Sequence, residues 1–201
     1  LAGGGELSLF DLLTGQLSIR RSAFEDIGGF DGKFTVGGSF GNEDLDLGTR
    51  LLERFAVRFN PKAISRQRYV VTYQQNMKQW YQAGQADVSF ARKHPSRAGE
   101  LFKLHGISRR RTRLITIPLS RLPFFPRIAS DLASYLAEQF WGKLKPFDEG
   151  IAEFFFWTRD ILYWSGVHSN GGIPGDNPVL VLCYHAIRDL SHDPILKPYG
   201  I

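Results

Sequence analysis

The junction between Gly37 and Arg54 limits the folds open to this chain more than any other segment. Gly37-Gly38-Ser39-Phe40-Gly41 has glycine at three of its five positions and reads as a flexible loop. It runs into Asn42-Glu43-Asp44-Leu45-Asp46-Leu47-Gly48-Thr49-Arg50-Leu51-Leu52-Glu53-Arg54. Asn42 is a favoured N-cap, and three acids fill the first turn, where the helix dipole favours negative charge. Leu47, Leu51, Leu52 and Phe55 recur on one face, and Asp46 and Arg50 make an i,i+4 pair. A short amphipathic helix with a leucine face must be covered by another layer. The surrounding residues, up to about 105, alternate short apolar runs with glycine turns, the texture of an α/β domain.

Punctuation nearby supports that expectation. Ser22-Ala23-Phe24-Glu25 fits a capping box and Gly28 fits a helix C-cap, so the spacing predicts a helix over Ser22 to Ile27. Leu17 to Arg20, Val57 to Phe59 and Ala63 to Ile64 are expected strands. A longer helix is expected over Tyr73 to Lys93, with Met77, Trp80, Tyr81, Gly84 and Val88 on one face.

Composition bounds the rest. Apolar residues make up 43% and charged residues 22% of the 201, which excludes wholesale disorder, a collagen and a bare coiled coil. The single Cys183 excludes an intrachain disulfide framework. No apolar stretch is long and unbroken enough to read as a transmembrane helix. The chain begins with Leu1 and stops soon after an apparent new strand, so a piece of a longer protein is expected. Charge is uneven. Gly106 to Lys145 holds eight Lys and Arg against Asp131 and Glu138, a net of +6, so the rest of this +5 chain nets −1.

On residue chemistry alone, a glycine loop delivering Glu43 and Asp44 to a helix start suits a general base. A helix N-terminus favours the ionised carboxylate, which can accept a proton. The same acids also suit a plain stabilising cap.

The run Thr14 to Asp31, TGQLSIRRSAFEDIGGFD, resembles the middle of family 2 glycosyltransferases. Gly41 to Arg50 is similar to their "G-x-ED-x-DL-x-x-R" stretch, and Pro61-Lys62-Ala63 to the "P-x-A" strand that follows. Tyr81-Gln82-Ala83-Gly84 and Lys93-His94-Pro95 are similar to the end of such domains, so the likeness runs over residues 10 to 97. It implies a partial GT-A fold, the acceptor half, over residues 1–105. It also implies a nucleotide-sugar donor and a glycan or lipid-linked acceptor. By the same resemblance Asp44 is the catalytic base of an inverting transfer and Glu43 helps hold the acceptor. Gly41, Asn42, Arg50 and Trp80 are the other candidate substrate-binding residues. Asp46 and Arg50 also read as a pair that fixes the helix, and Trp80 as packing. Gly28, Gly29, Phe30 and Asp31 would shape the turn under the site. The family's divalent metal, Mg2+ or Mn2+, is expected for the full-length enzyme. Its Asp-x-Asp ligands lie upstream in the family, and none precedes Thr14. Gln67 stands where many relatives carry a His. Gln75, Lys78 and Trp80 resemble an acceptor motif of processive synthases at a spacing wrong by one.

Residues 106–177 read as a basic, aromatic helical connector. Ile128, Leu132, Leu136 and Phe140 make an i,i+4 stripe, and Phe154, Phe155, Phe156, Trp157, Tyr163 and Trp164 crowd the next helix. Such a pair suits an anionic membrane surface, or packing on neighbouring domains. No nucleic-acid module accompanies it, so nucleic acid is not an expected partner. Ser169 to Gly175 reads as a linker. Residues 178–201 open with an apolar strand ending in Cys183-Tyr184-His185, which resembles the start of polysaccharide deacetylases. His185, Asp189, His192 and Asp193 fit no standard metal cage. The transferase resemblance implies a cytoplasmic enzyme, since nucleotide-sugars are made there, and the basic aromatic connector suits a place at the membrane periphery. A non-catalytic glycan-binding module and a membrane adaptor stay open beside it.

Overall fold

The computed structural model describes residues 9–12, 15, 17–34, 41–58, 60, 62–64, 66, 68, 70–143 and 145–175. In chain order its helices are α1 (Arg21–Asp26), α2 (Glu43–Arg54), α3 (Tyr73–Lys93), α4 (Pro95–Leu104), α5 (Ile117–Ser120), α6 (Phe125–Phe140) and α7 (Asp148–Ser169). Single 3-10 turns lie at Leu9–Asp11, Gly32–Phe34 and Lys145–Phe147.

The described residues are mostly helical and form no strand, so the expected α/β GT-A architecture does not appear among them. Leu17 to Arg20 is extended or irregular, as are Val57, Arg58, Ala63 and Ile64. Short apolar pieces become strands only where partners offer a hydrogen-bonding ladder. The strand and metal-like residues expected beyond Pro178 lie outside the described residues.

Helix ends follow local chemistry. Thr72 and Gln75 form the capping box that opens α3: Thr72 Oγ1 accepts from the Gln75 amide (3.1 Å) and Gln75 Oε1 from the Thr72 amide (2.9 Å). Pro95 disfavours helical geometry at His94, so α3 stops at Lys93 and α4 begins with proline in its first turn. Gly28 (φ +79°) closes α1 as expected, its amide reaching the Glu25 carbonyl while the Gly29 amide reaches Phe24. The expected Ser22 cap does not form. α1 starts one residue earlier, which puts Ser22 inside the helix, and Glu25 pairs with Arg21 instead (2.7 Å). Pro118 lacks an amide hydrogen and crowds the turn before it, and the backbone widens there into a π-helical stretch, Thr112–Thr116.

α3 and α7 are the central pair. They cross where Gly84 meets the Tyr163 carbonyl and Gly166 meets the Tyr81 carbonyl, and a methyl at either glycine would overlap backbone. One core cluster joins Val88, Ala91, Ala98 and Phe102 to Tyr163, Trp164 and Val167. The connector helices therefore share a core with the first region. A second cluster joins Met77 to Ala133, Ala137, Ile151, Phe155 and Leu162. α2 buries Leu45, Leu47 and Leu51, with Leu9, Phe34 and Phe90 beside Leu45.

The α6 stripe turns out differently from its periodicity. Ala129, Ala133 and Ala137 face the core, while Ile128 is 63% and Leu132 48% exposed. Small residues let α6 lie close on α7, and the stripe divides: Leu136 and Phe140 pack against the core while Ile128 and Leu132 stay outside. The Ser169 to Gly175 segment is also more than a linker. Asn170 Nδ2 donates to the Gln85 carbonyl (2.7 Å) and to Ser89 Oγ (3.1 Å), and Arg92 binds the Asn170 carbonyl, pinning the end of α7 to α3.

Candidate functional site

The start of α2 is reached through two residues with positive φ, Gly41 (+111°) and Asn42 (+69°). Glycine accepts this freely and asparagine tolerates it. In this geometry Asn42 occupies the N-cap position without capping: its side chain makes no bond to the first turn. Its amide turns away and donates to Asp87 Oδ1 on α3 (2.7 Å). Gly41 lies beside Ala86, so the whole junction is seated on α3. Glu43 and Asp44 follow, both half-buried at the first turn. The remainder of the glycine loop, residues 37–40, lies outside the described residues.

One turn on, Asp46 is fully buried and ties three of the sequence motifs together. Its Oδ2 accepts from Arg50 Nη2 (2.6 Å) and Nε (3.1 Å). Its Oδ1 meets Lys93 Nζ (2.6 Å) and His94 Nε2 (2.8 Å). An ionised carboxylate only accepts, so His94 is the donor there. Lys93 also reaches Asp31 Oδ2 (2.7 Å), and Arg50 Nη1 donates to the Ile27 carbonyl. The turn after α1, the body of α2 and the α3–α4 break are thus held by one network. Burial alone would raise the Asp46 carboxyl, but the bonds from Lys93, His94 and Arg50 outweigh it and hold it below the usual carboxylate value. Burial opposes charge on Lys93 too, yet Asp31 and Asp46 raise its ammonium above the ordinary lysine value.

A second buried acid was not singled out by sequence reasoning. Asp87 receives Asn42 on one oxygen and the Tyr163 hydroxyl on the other (2.6 Å), with His105 Nε2 3.3 Å from the latter. The His105 ring stacks on Tyr163 at 3.8 Å. Burial and the Asp87 charge push the Tyr163 phenol far above its ordinary value, so it stays protonated and donates. An acid in the middle of an otherwise apolar helix face was the one available signal; its partners lie too far along the chain to read.

The other candidates take packing roles. Arg50 is spent on Asp46 and Ile27. Trp80 is half-buried, with the Arg159 guanidinium 3.9 Å over its ring and His105 and Tyr163 at its edges. Gln75 is spent in the α3 cap, away from Trp80's ring contacts. Among the described residues no group of three His, Cys, Asp or Glu side chains could hold a metal ion. Asp44-Leu45-Asp46 has Asp-x-Asp spacing, but both Asp46 oxygens are taken by cations and histidine. These residues do not fit a divalent metal. No family model, curated protein or solved structure matches this chain.

Proposed function

We propose that this chain is the acceptor half of an inverting glycosyltransferase of the family 2 type, moving a sugar from a nucleotide-sugar to a glycan or lipid-linked acceptor. The observation that supports this most is the Asp46 network. Asp31, Asp46, Arg50, Lys93 and His94, drawn from three segments of the family-like stretch, meet through ion pairs and hydrogen bonds. They fix the first turn of α2 and leave Glu43 and Asp44 half-exposed at its start. In this reading Asp44 takes the proton from the acceptor hydroxyl as it attacks the anomeric carbon, and Glu43 orients that acceptor. The GT-A sheet and the donor site would come from residues outside the described helices, and a fused deacetylase domain would follow Pro178.

The test is Asp44→Asn in the intact transferase. Turnover falls by about a thousandfold, within the range a positioned general base contributes, and nucleotide-sugar binding is retained. Unchanged turnover overturns the assignment.

A second reading, compatible with the first, is peripheral association with an anionic membrane. It rests on apolar side chains that face outward beside cations. Leu114 is 73% exposed between Arg113 and Ile115, and Ile128 and Leu132 project from α6. Arg109, Arg110, Arg111 and Arg113 are all exposed. No helix among the described residues is long and apolar enough to cross a membrane. Flotation with anionic liposomes that disappears when these four arginines become glutamine supports this reading, and absence of flotation in the unaltered chain overturns it.

A further inference from the structure

A groove of about 650 Å3 opens between α3, the turn joining α5 to α6, and α7. That volume lies within the roughly 300–1,000 Å3 range of small-molecule sites. Its floor is apolar, built from Met77 and Tyr81 of α3, Pro126 of α6 and Leu162 of α7. Its rim is basic: Lys78, Arg121 and Arg127 line it against one carboxylate, Asp131. The three cations are exposed, and none forms an ion pair with a described residue.

The turn at the mouth has an unusual shape. Phe124 adopts a positive φ of 65°, which a bulky residue rarely does. The conformation leaves Phe124 78% and Leu122 49% exposed, both lining the groove. An aromatic and a leucine held out to solvent between Arg121 and Arg127 match the layering of a bilayer surface. Apolar tips sit below the headgroups while cations stay at phosphate level. The outward face of α6 continues the apolar surface through Ile128 and Leu132.

We propose that this groove takes one acyl chain of an anionic glycerophospholipid. The lipid phosphate sits among Lys78, Arg121 and Arg127, and Leu122 and Phe124 enter the membrane beside it. An inorganic phosphate would leave the apolar floor without a role, and an uncharged lipid would leave the three cations without one. The proposal rests on the membrane-surface reading above and is independent of the transferase reading.

The experiment uses the whole chain with vesicles of phosphatidylcholine and phosphatidylglycerol, the latter carrying a photoreactive diazirine midway along one acyl chain. After irradiation, labelled peptides are mapped by mass spectrometry. Label is expected between Met77 and Tyr81 and between Leu162 and Ser169. Ser165→Trp, which fills the groove without changing charge, removes that label while flotation persists. Lys78→Gln, Arg121→Gln and Arg127→Gln together weaken flotation about a hundredfold, at about a factor of five for each basic residue near an anionic surface. Circular dichroism checks that both variants keep their helices. Label confined to Leu114, Ile115, Ile128 and Leu132 overturns the groove and leaves surface association standing. Cross-links that seat residues 176–201 in the groove overturn it as well. Loss of flotation in the unaltered chain overturns both readings.

Discussion

Asp46 and Asp87 are both buried near the start of α2, and they are satisfied in different ways. Asp46 is neutralised by Arg50 and Lys93, with His94 completing the set. Asp87 relies on two neutral donors, Asn42 and Tyr163, with His105 nearby. The first arrangement joins α2 to the α3–α4 break. The second reaches α7, and Tyr163 lies 76 positions further along the chain. One acid is therefore held by charge and the other by the fit of two crossing helices. Removing charge should injure the first most, and separating helices should injure the second.

The largest effect is expected at Asp46. In Asp46→Asn, Arg50, Lys93 and His94 lose the carboxylate they surround. Breaking a buried pair in this way costs about 3–5 kcal/mol. Because the folded carboxyl is held below its unfolded value, the stabilisation is present above about pH 4, the ordinary aspartate value. It is lost as pH falls through the lowered folded value. Urea unfolding from pH 7 down to pH 2 should therefore show the wild type and the variant converging in acid. A constant gap across that range would mean that charge does not hold this site.

Gly84→Ala comes next and acts on the other acid. The added methyl overlaps the Tyr163 carbonyl, so α7 must move away from α3. Overpacking of this kind destabilises by about 3 kcal/mol, against a gain of about 1 kcal/mol in helix propensity. Tyr163→Phe removes one bond to a buried carboxylate, worth about 2 kcal/mol. The two substitutions share a contact, so their effects should not add, whereas Gly84→Ala and Asp46→Asn should combine independently. A double-mutant cycle in chemical denaturation decides this. Additivity between Gly84→Ala and Tyr163→Phe would detach the Asp87 site from the helix crossing.

The same contrast explains what could be read from the residues. The extent of α3, the glycine stop after α1 and the Asp46–Arg50 pair depend on neighbours within a few positions, and all three are present. Asn42 was legible as the residue before α2. Its side chain was not, because a positive φ and a distant carboxylate redirect it to Asp87. Ser22 lost its cap because α1 begins at Arg21, which puts Ser22 inside the helix and leaves Glu25 to pair with Arg21. The α6 stripe held at Leu136 and Phe140 and failed at Ile128 and Leu132, because periodicity identifies a large apolar face without telling which face a close-packed neighbour needs. There the alanines go inward and Ile128 and Leu132 outward. Of the site, Glu43, Asp44 and Asp46 could be named from spacing and resemblance. Asp87, Tyr163 and His105 could not, since only tertiary packing brings them together.

The smallest effect is expected at Asp31, and it sharpens the comparison most economically. Asp31 binds the same Lys93 ammonium as Asp46, at nearly the same distance, 2.7 against 2.6 Å. Its side chain keeps a quarter of its surface in water, whereas Asp46 keeps none. A partly exposed pair is screened and contributes about 0.5 kcal/mol. Asp31→Asn should therefore shift the unfolding midpoint slightly, and raising the salt concentration should erase most of that shift. Lys93 retains Asp46 in this variant, so the acid sensitivity of the Asp46 network should survive. An Asp31→Asn loss as large as that of Asp46→Asn would mean that Lys93 is held chiefly from the α1 side. Burial would then not be what separates a strong aspartate pair from a weak one in this protein.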